Sequence, residues 1–227
     1  EIETALKLDP NDRDAHFVAA KLAGSARDAD AQERHLRAMK TAGADGYTVE
    51  MALASVADGK HDRLALRAAL EAAHRFDPTQ ADPLRGLYDL ATTEKRDADA
   101  LTALREVARL DQHDRHAYKL LLETLVAGKQ WDEAKRIGES ALYVDVESAE
   151  MHVNYARALS ATGDHTTAAY ELESALLCDA KPPDKATALA LLATERAALG
   201  DMAGARARRD EALKLDPSNA EARALKL

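Results

Sequence analysis

The feature that most constrains this chain is a repeated stop signal. Apolar runs end in an Asp, often followed by Pro. "ALKLDP" closes at Asp9-Pro10, "AHRFDP" at Asp77-Pro78, and "ALKLDP" again at Asp216-Pro217. The related runs "VARLDQ", "ALYVDV" and "ALLCDA" close at Asp111, Asp145 and Asp179. Asp77, Asp111, Asp145 and Asp179 fall at intervals of 34 residues. Asp9 and Asp77 are 68 residues apart, two periods with one marker lost near Gly43. Asp179 and Asp216 are 37 apart, and the three extra residues sit at Lys181-Pro182-Pro183. A fixed period of this length demands stacked supersecondary units that bury their apolar faces on one another, not one compact core.

Each period carries two helical patterns. In the fourth, Tyr118, Leu121, Leu122 and Leu125 share one stripe, Gly128-Lys129-Gln130 interrupts, and Ala134, Ile137, Ala141 and Leu142 form a second stripe. The fifth and sixth periods repeat this around Gly163-Asp164 and Gly200-Asp201. Gly at a helix end accepts a left-handed conformation, and the polar residue after it can cap the next helix. Asp28, Asp62, Asp164 and Asp201 stand at such starts, as do Asp12, Asp114, Ser148 and Asn219 at the other boundary. Helices are expected at 13–25, 29–42, 47–58, 62–76, 81–93, 97–110, 115–127, 131–144, 149–161, 165–178, 184–198 and 202–215, with fragments at 1–8 and 220–227. The fold class is all-α, a single array of units at about 13–46, 47–80, 81–114, 115–148, 149–185 and 186–219. Residue 1 reads as lying inside the last turns of a helix, so the chain is expected to be cut from a longer one.

Composition narrows the function. Aromatics make up 4% of residues while Ala is abundant, which suits helices that approach closely. The net charge of −9 lacks the cationic excess that nucleic-acid binding needs. The single cysteine, Cys178, allows no internal disulfide and reads as a small apolar residue near a helix end. No run approaches the ~20 apolar residues of a membrane span. The compartment stays open, the cytoplasm being preferred over the periplasm. The Ala- and Arg-rich composition suggests a GC-rich bacterial gene.

No catalytic or phosphate-binding motif is present. The segment Asp111-Gln-His113-Asp114-Arg-His116 gathers metal-ligating residue types, but it reads as an inter-repeat turn with a capping Asp. His16 and His152 fall at the large core position of a first helix and read as core filling.

A helix–turn–helix unit of this period resembles the tetratricopeptide repeat (TPR). Leu53-Ala54, Tyr155-Ala156 and Leu192-Ala193 match its large–small pair. Ala100, Ala134, Ala168 and Ala205 match its first second-helix Ala, and Ala5, Ala73, Ala141, Ala175 and Ala212 match its second. Leu36, Leu70, Leu104 and Leu172 share the large position between them, while Gln32 and Leu66 replace small residues in the first two periods. The resemblance implies a right-handed α-solenoid whose first helices line a concave face. The inward positions implied there include Arg85, Asp89, Lys119, Glu123, Asn154 and Arg157. Asn154 suits a peptide backbone, since an amide both donates and accepts. The carboxylate clamp of chaperone-binding members matches poorly: Lys119 and Asn154 fit, but Glu123, Thr187 and Leu191 stand where Asn, Lys and Arg belong.

The expectation is a non-catalytic scaffold without cofactor or metal that binds a protein or peptide partner. The alternatives are a recruiting module of a larger enzyme and a structural subunit of an assembly.

Overall fold

The computed structural model describes residues 1–227. It is built from helices alone. The first seven are α1 (Ile2–Leu8), α2 (Arg13–Ser25), α3 (Ala29–Thr41), α4 (Tyr47–Gly59), α5 (Arg63–Phe76), α6 (Asp82–Thr93) and α7 (Asp97–Leu110). The rest are α8 (Arg115–Ala127), α9 (Trp131–Val144), α10 (Ala149–Ala161), α11 (His165–Leu177), α12 (Pro182–Ala198), α13 (Met202–Leu215) and α14 (Ala220–Ala224). The helices expected between residues 13 and 215 are all present, the largest difference being at the start of α12. There Lys181 is the N-cap, and Pro182 and Pro183 occupy the first turn. Proline lacks only an N–H that is unpaired there anyway, so the inserted residues lengthen the helix instead of looping out.

The chain divides into two compact units, residues 1–111 and 112–227. In the first, each helix from α1 to α7 packs on the next, while α2 on α4 and α4 on α6 do not pack to comparable extent. In the second, consecutive helices pack likewise, and first helices also meet directly: α8 on α10, α10 on α12 and α12 on α14. The core of the second unit is made of Leu121, Leu122, Leu125, Leu159, Leu172 and Leu192, all almost wholly buried. Ala134, Ala141, Ala168, Ala175, Ala205 and Ala212 are buried between paired helices, where a small side chain lets backbones approach.

The eight residues expected to cap helices do so. Asp12, Asp28, Asp62, Asp114, Ser148, Asp164, Asp201 and Asn219 each accept from the backbone N–H three residues on. The marker aspartates have a related role. Asp9, Asp77, Asp145 and Asp216 accept from the N–H two residues on, at 2.9, 3.0, 3.3 and 2.9 Å. Such an Asx-turn reverses the chain between repeats and accounts for Asp at these four markers.

The turn inside each hairpin is equally uniform. Arg27, His61, Lys95, Lys129, Gly163 and Gly200 all have positive φ, between 54° and 85°. At each, the residue's own N–H and the one following close a Schellman motif, as in Lys129 N to Val126 O and Gln130 N to Leu125 O. The expectation that Gly128 takes the left-handed turn is therefore corrected: its φ is −79°, and Lys129 takes it instead.

His16 and His152 are buried, as core positions require, yet both are hydrogen-bonded. Each sends Nε2 to a carbonyl six residues back, Pro10 and Val146, at 2.9 Å. The other nitrogen meets the second helix of the same hairpin: His16 Nδ1 lies 3.0 Å from His35 Nδ1, and His152 Nδ1 lies 2.6 Å from Glu171. Glu50, in the corresponding place of the second hairpin, is buried and ion-paired with Lys40. Polar side chains thus replace the Leu84 and Tyr118 of other hairpins, at the cost of needing a partner for every polar atom.

Candidate functional site

In residues 112–227 the first helices α8, α10 and α12 open onto one cavity of about 600 Å³. Helix α10 supplies its floor. Met151, His152, Ala156 and Leu159 anchor one side of that helix in the core, which turns Asn154, Arg157 and Ser160 toward the cavity. Glu123 enters from α8, and Leu191, Thr194 and Glu195 from α12. Trp131, the only tryptophan of the chain, lines the same space from the start of α9.

Of the residues expected to contact a partner, Glu123, Asn154 and Arg157 therefore share one cavity. Lys119 does not line it. Its ammonium lies 2.5 Å from Glu150, and that hydrogen bond holds it above the ordinary lysine range against a smaller opposing effect of burial. Arg85 and Asp89 belong to the other unit. Arg85 binds Asp82 and Asp111, each at 2.7 Å, and Asp89 is exposed on α6 beside a separate cavity. Arg157 is also engaged, donating to Glu221 of α14 at 2.7 Å. All three cations thus already meet a carboxylate of their own chain, so an acidic ligand would have to exchange for it. Asn154 carries no such internal bond, and both ends of its amide are available.

Sequence reasoning missed Glu195. It is 2% exposed, yet it lines the cavity and accepts from Ser160 Oγ and pairs with His165 Nδ1, each at 2.7 Å. A carboxylate so placed is tolerable only because both oxygens are satisfied. The one available signal was a Glu within the apolar stripe of Leu189, Leu192 and Ala193. Trp131 was read as a helix start, not a cavity wall. No cluster of three or more metal-ligating side chains exists, and Asp114 is committed to capping Ala117. No helix is long and apolar enough to cross a membrane.

Comparison with known proteins yields likeness of structure only. No family model matches the chain, and no curated protein matches it. Among solved structures, the C-terminal part of a TPR repeat-containing protein from Cytophaga hutchinsonii matches with a TM-score of 0.64 and 16% identity, over 100% of this chain and 92% of that one. YrrB, a TPR protein with an unusual peptide-binding site, matches with a TM-score of 0.60 and 15% identity, over 97% and 95%. MamA matches with a TM-score of 0.60 and 18% identity, over 80% and 97%. Hairpins of fixed period, Ala-packed helix pairs and these superpositions agree on one fold: the chain has the helix–turn–helix repeat fold of tetratricopeptide-repeat structures.

Proposed function

We propose that this chain is a non-catalytic scaffold that binds a protein or peptide, and that residues 112–227 hold an extended segment in the cavity lined by α8, α10 and α12. The observation that carries the reading is the convergence of Glu123, Asn154 and Arg157 on one cavity, with the Asn154 amide free of internal partners. Asn154 would satisfy a peptide bond of the ligand. Glu123 would attract a cation, and Arg157 would trade Glu221 for an acidic side chain. Arg85, Asp89 and Lys119 are proposed as further contacts of the same mixed-charge kind. A groove preformed on packed helices costs little ordering entropy when a partner docks. That YrrB has a peptide-binding site supports this reading by analogy of fold.

The test is affinity capture with the whole chain, followed by titration of the captured partner against Trp131 fluorescence. Asn154→Ala is expected to weaken binding by about 1–3 kcal/mol, because a desolvated backbone group of the ligand loses its partner. Arg157→Glu is expected to change the association rate and its salt dependence. Arg206, exposed on the second helix α13, serves as the control. Binding that survives both changes but fails in Arg206→Glu would move the surface to the second helices and overturn the assignment.

A further inference from the structure

A different face of residues 112–227 carries an apolar groove of about 740 Å³ between α9 and α11. Its walls are Leu142 near the end of α9 and Val146 just beyond it, and Tyr170 and Leu177 along α11 with Cys178 at its C-cap. Three of these large side chains lie well in water: Val146 is 66% exposed, Tyr170 65% and Leu177 89%. Tyr170 and Leu177 are seven residues apart, two helical turns, and so stand on one face of α11.

The equivalent places of the other hairpins are not built this way. Where α11 has Tyr170, the other second helices carry Arg34, Ala68, Thr102, Arg136 and Ala207. Where it has Leu177, they carry Thr41, Arg75, Arg109, Tyr143 and Lys214. An outward position that is small or polar in most hairpins has become large and apolar on α11 alone at both sites. Leaving such surface in water is unfavourable, and a concentrated patch marks a docking site.

The charge around it identifies the occupant. Glu147, Glu171 and Asp179 are the charged residues lining the groove, and no Lys or Arg lines it. Glu171 is committed to His152, whereas Glu147 and Asp179 are exposed at the mouth. The Cys178 thiol registers the same field: burial pushes it up, Glu147 and Asp145 push it further, and Lys185, beyond the groove, opposes them weakly. Two copies of such a face would bring carboxylates together, which disfavours self-association through it.

We propose that the α9–α11 groove docks a segment of another protein that carries large apolar side chains flanked by Lys or Arg. The apolar residues fill the space between Val146, Tyr170 and Leu177. The cations meet Glu147 and Asp179. This site is separate from the cavity of the first helices, so the two readings stand or fall independently.

The experiment uses the whole chain and a fluorescent synthetic peptide of about 18 residues, Leu at helical spacing and Lys elsewhere, enough for five turns. Its counterpart has Glu for every Lys. Binding is read by anisotropy, and occupancy by the alkylation rate of Cys178, the only thiol. The Lys peptide is expected to bind and to slow alkylation, and the Glu peptide to do neither. Tyr170→Ser with Leu177→Ser should weaken binding about tenfold by removing apolar contact. Glu147→Gln with Asp179→Asn should weaken it and flatten its salt dependence. These side chains are exposed, so the variants should keep the wild-type melting curve. Asn154→Ala should leave the peptide affinity unchanged.

Absence of binding, equal binding of both peptides, or binding indifferent to the paired Ser changes would overturn the inference, the last showing attraction by net charge alone. Loss on Asn154→Ala instead would place the peptide in the first-helix cavity. A wild-type dimer in light scattering that the Ser pair dissolves would assign the face to a second copy.

Discussion

Single residues set the geometry of each hairpin. Six equivalent turn residues share a left-handed backbone, yet only Gly163 and Gly200 are glycine. A side chain in that conformation costs roughly 1–2 kcal/mol, partly offset because glycine loses more freedom on folding. Lys129→Gly is therefore expected to stabilise the protein by about 0.5–1 kcal/mol, measured by urea unfolding. An unchanged midpoint would mean that the turn relaxes at no cost. A second residue-scale effect lies between His16 and His35. With its Nε2–H donating to Pro10, His16 turns Nδ1 toward His35, whose Nδ1–H donates to it. Burial, then the facing His16, then Arg34 hold the His35 imidazole below the ordinary histidine range. The unfolded chain then binds this proton more readily than the folded one. Stability is full above the ordinary histidine pKa, about 6.5, and falls as pH drops from there through the lower folded value. The urea midpoint should fall between pH 7.5 and 5.5, and fall less in His35→Gln. An equal loss in both proteins would remove His35 as the cause.

At the scale of elements, helices fit by exchanging volume across their contacts. The large position shared by Leu36, Leu70, Leu104 and Leu172 is Gly138 on α9. The space is filled from α10, because a Cβ on Gly138 would run into the ring of Tyr155. Other first helices mostly carry Leu where α10 has Tyr155. Gly138→Leu should destabilise by about 1–3 kcal/mol through overpacking. Tyr155→Leu should recover much of that loss in the double variant, a coupling that thermal melts of the four proteins would measure. Additive losses would show that the two residues do not share the space. Gln32 illustrates the same exchange in the first hairpin, where a side chain at Gly24 would collide with it. Sequence alone shows the departure from the pattern; only the facing helix shows what compensates it.

At the scale of the molecule, stability is expected to be uneven. Repeat stability is approximately a sum over units and their interfaces. Residues 112–227 have first helices packed on first helices and a core of fully buried leucines. Residues 13–76 instead place His16 and Glu50 in core positions and rely on consecutive contacts. Amide hydrogen exchange should show 13–76 opening before 115–215. Uniform protection would contradict this. The candidate cavity was only half legible at this scale. Glu123, Asn154 and Arg157 were placed by their register on first helices, and the structure gathers them. Glu195 was not, since its burial depends on Ser160 and His165 from the preceding hairpin.

The sequence by itself determined the periodicity, the helix ends, the caps and the Ala columns. These depend on a residue and its near neighbours along the chain, where propensity, capping and amphipathic spacing act. Tertiary structure alone decided how the cations are used. Arg157 meets Glu221, 64 residues away, and Lys119 meets Glu150 from the next first helix. It also decided that α11 leaves Tyr170 and Leu177 in water while Gly138 makes room for Tyr155. Those outcomes depend on which side chains face each other across helices, and repulsion between filled volumes acts through space without regard to sequence separation.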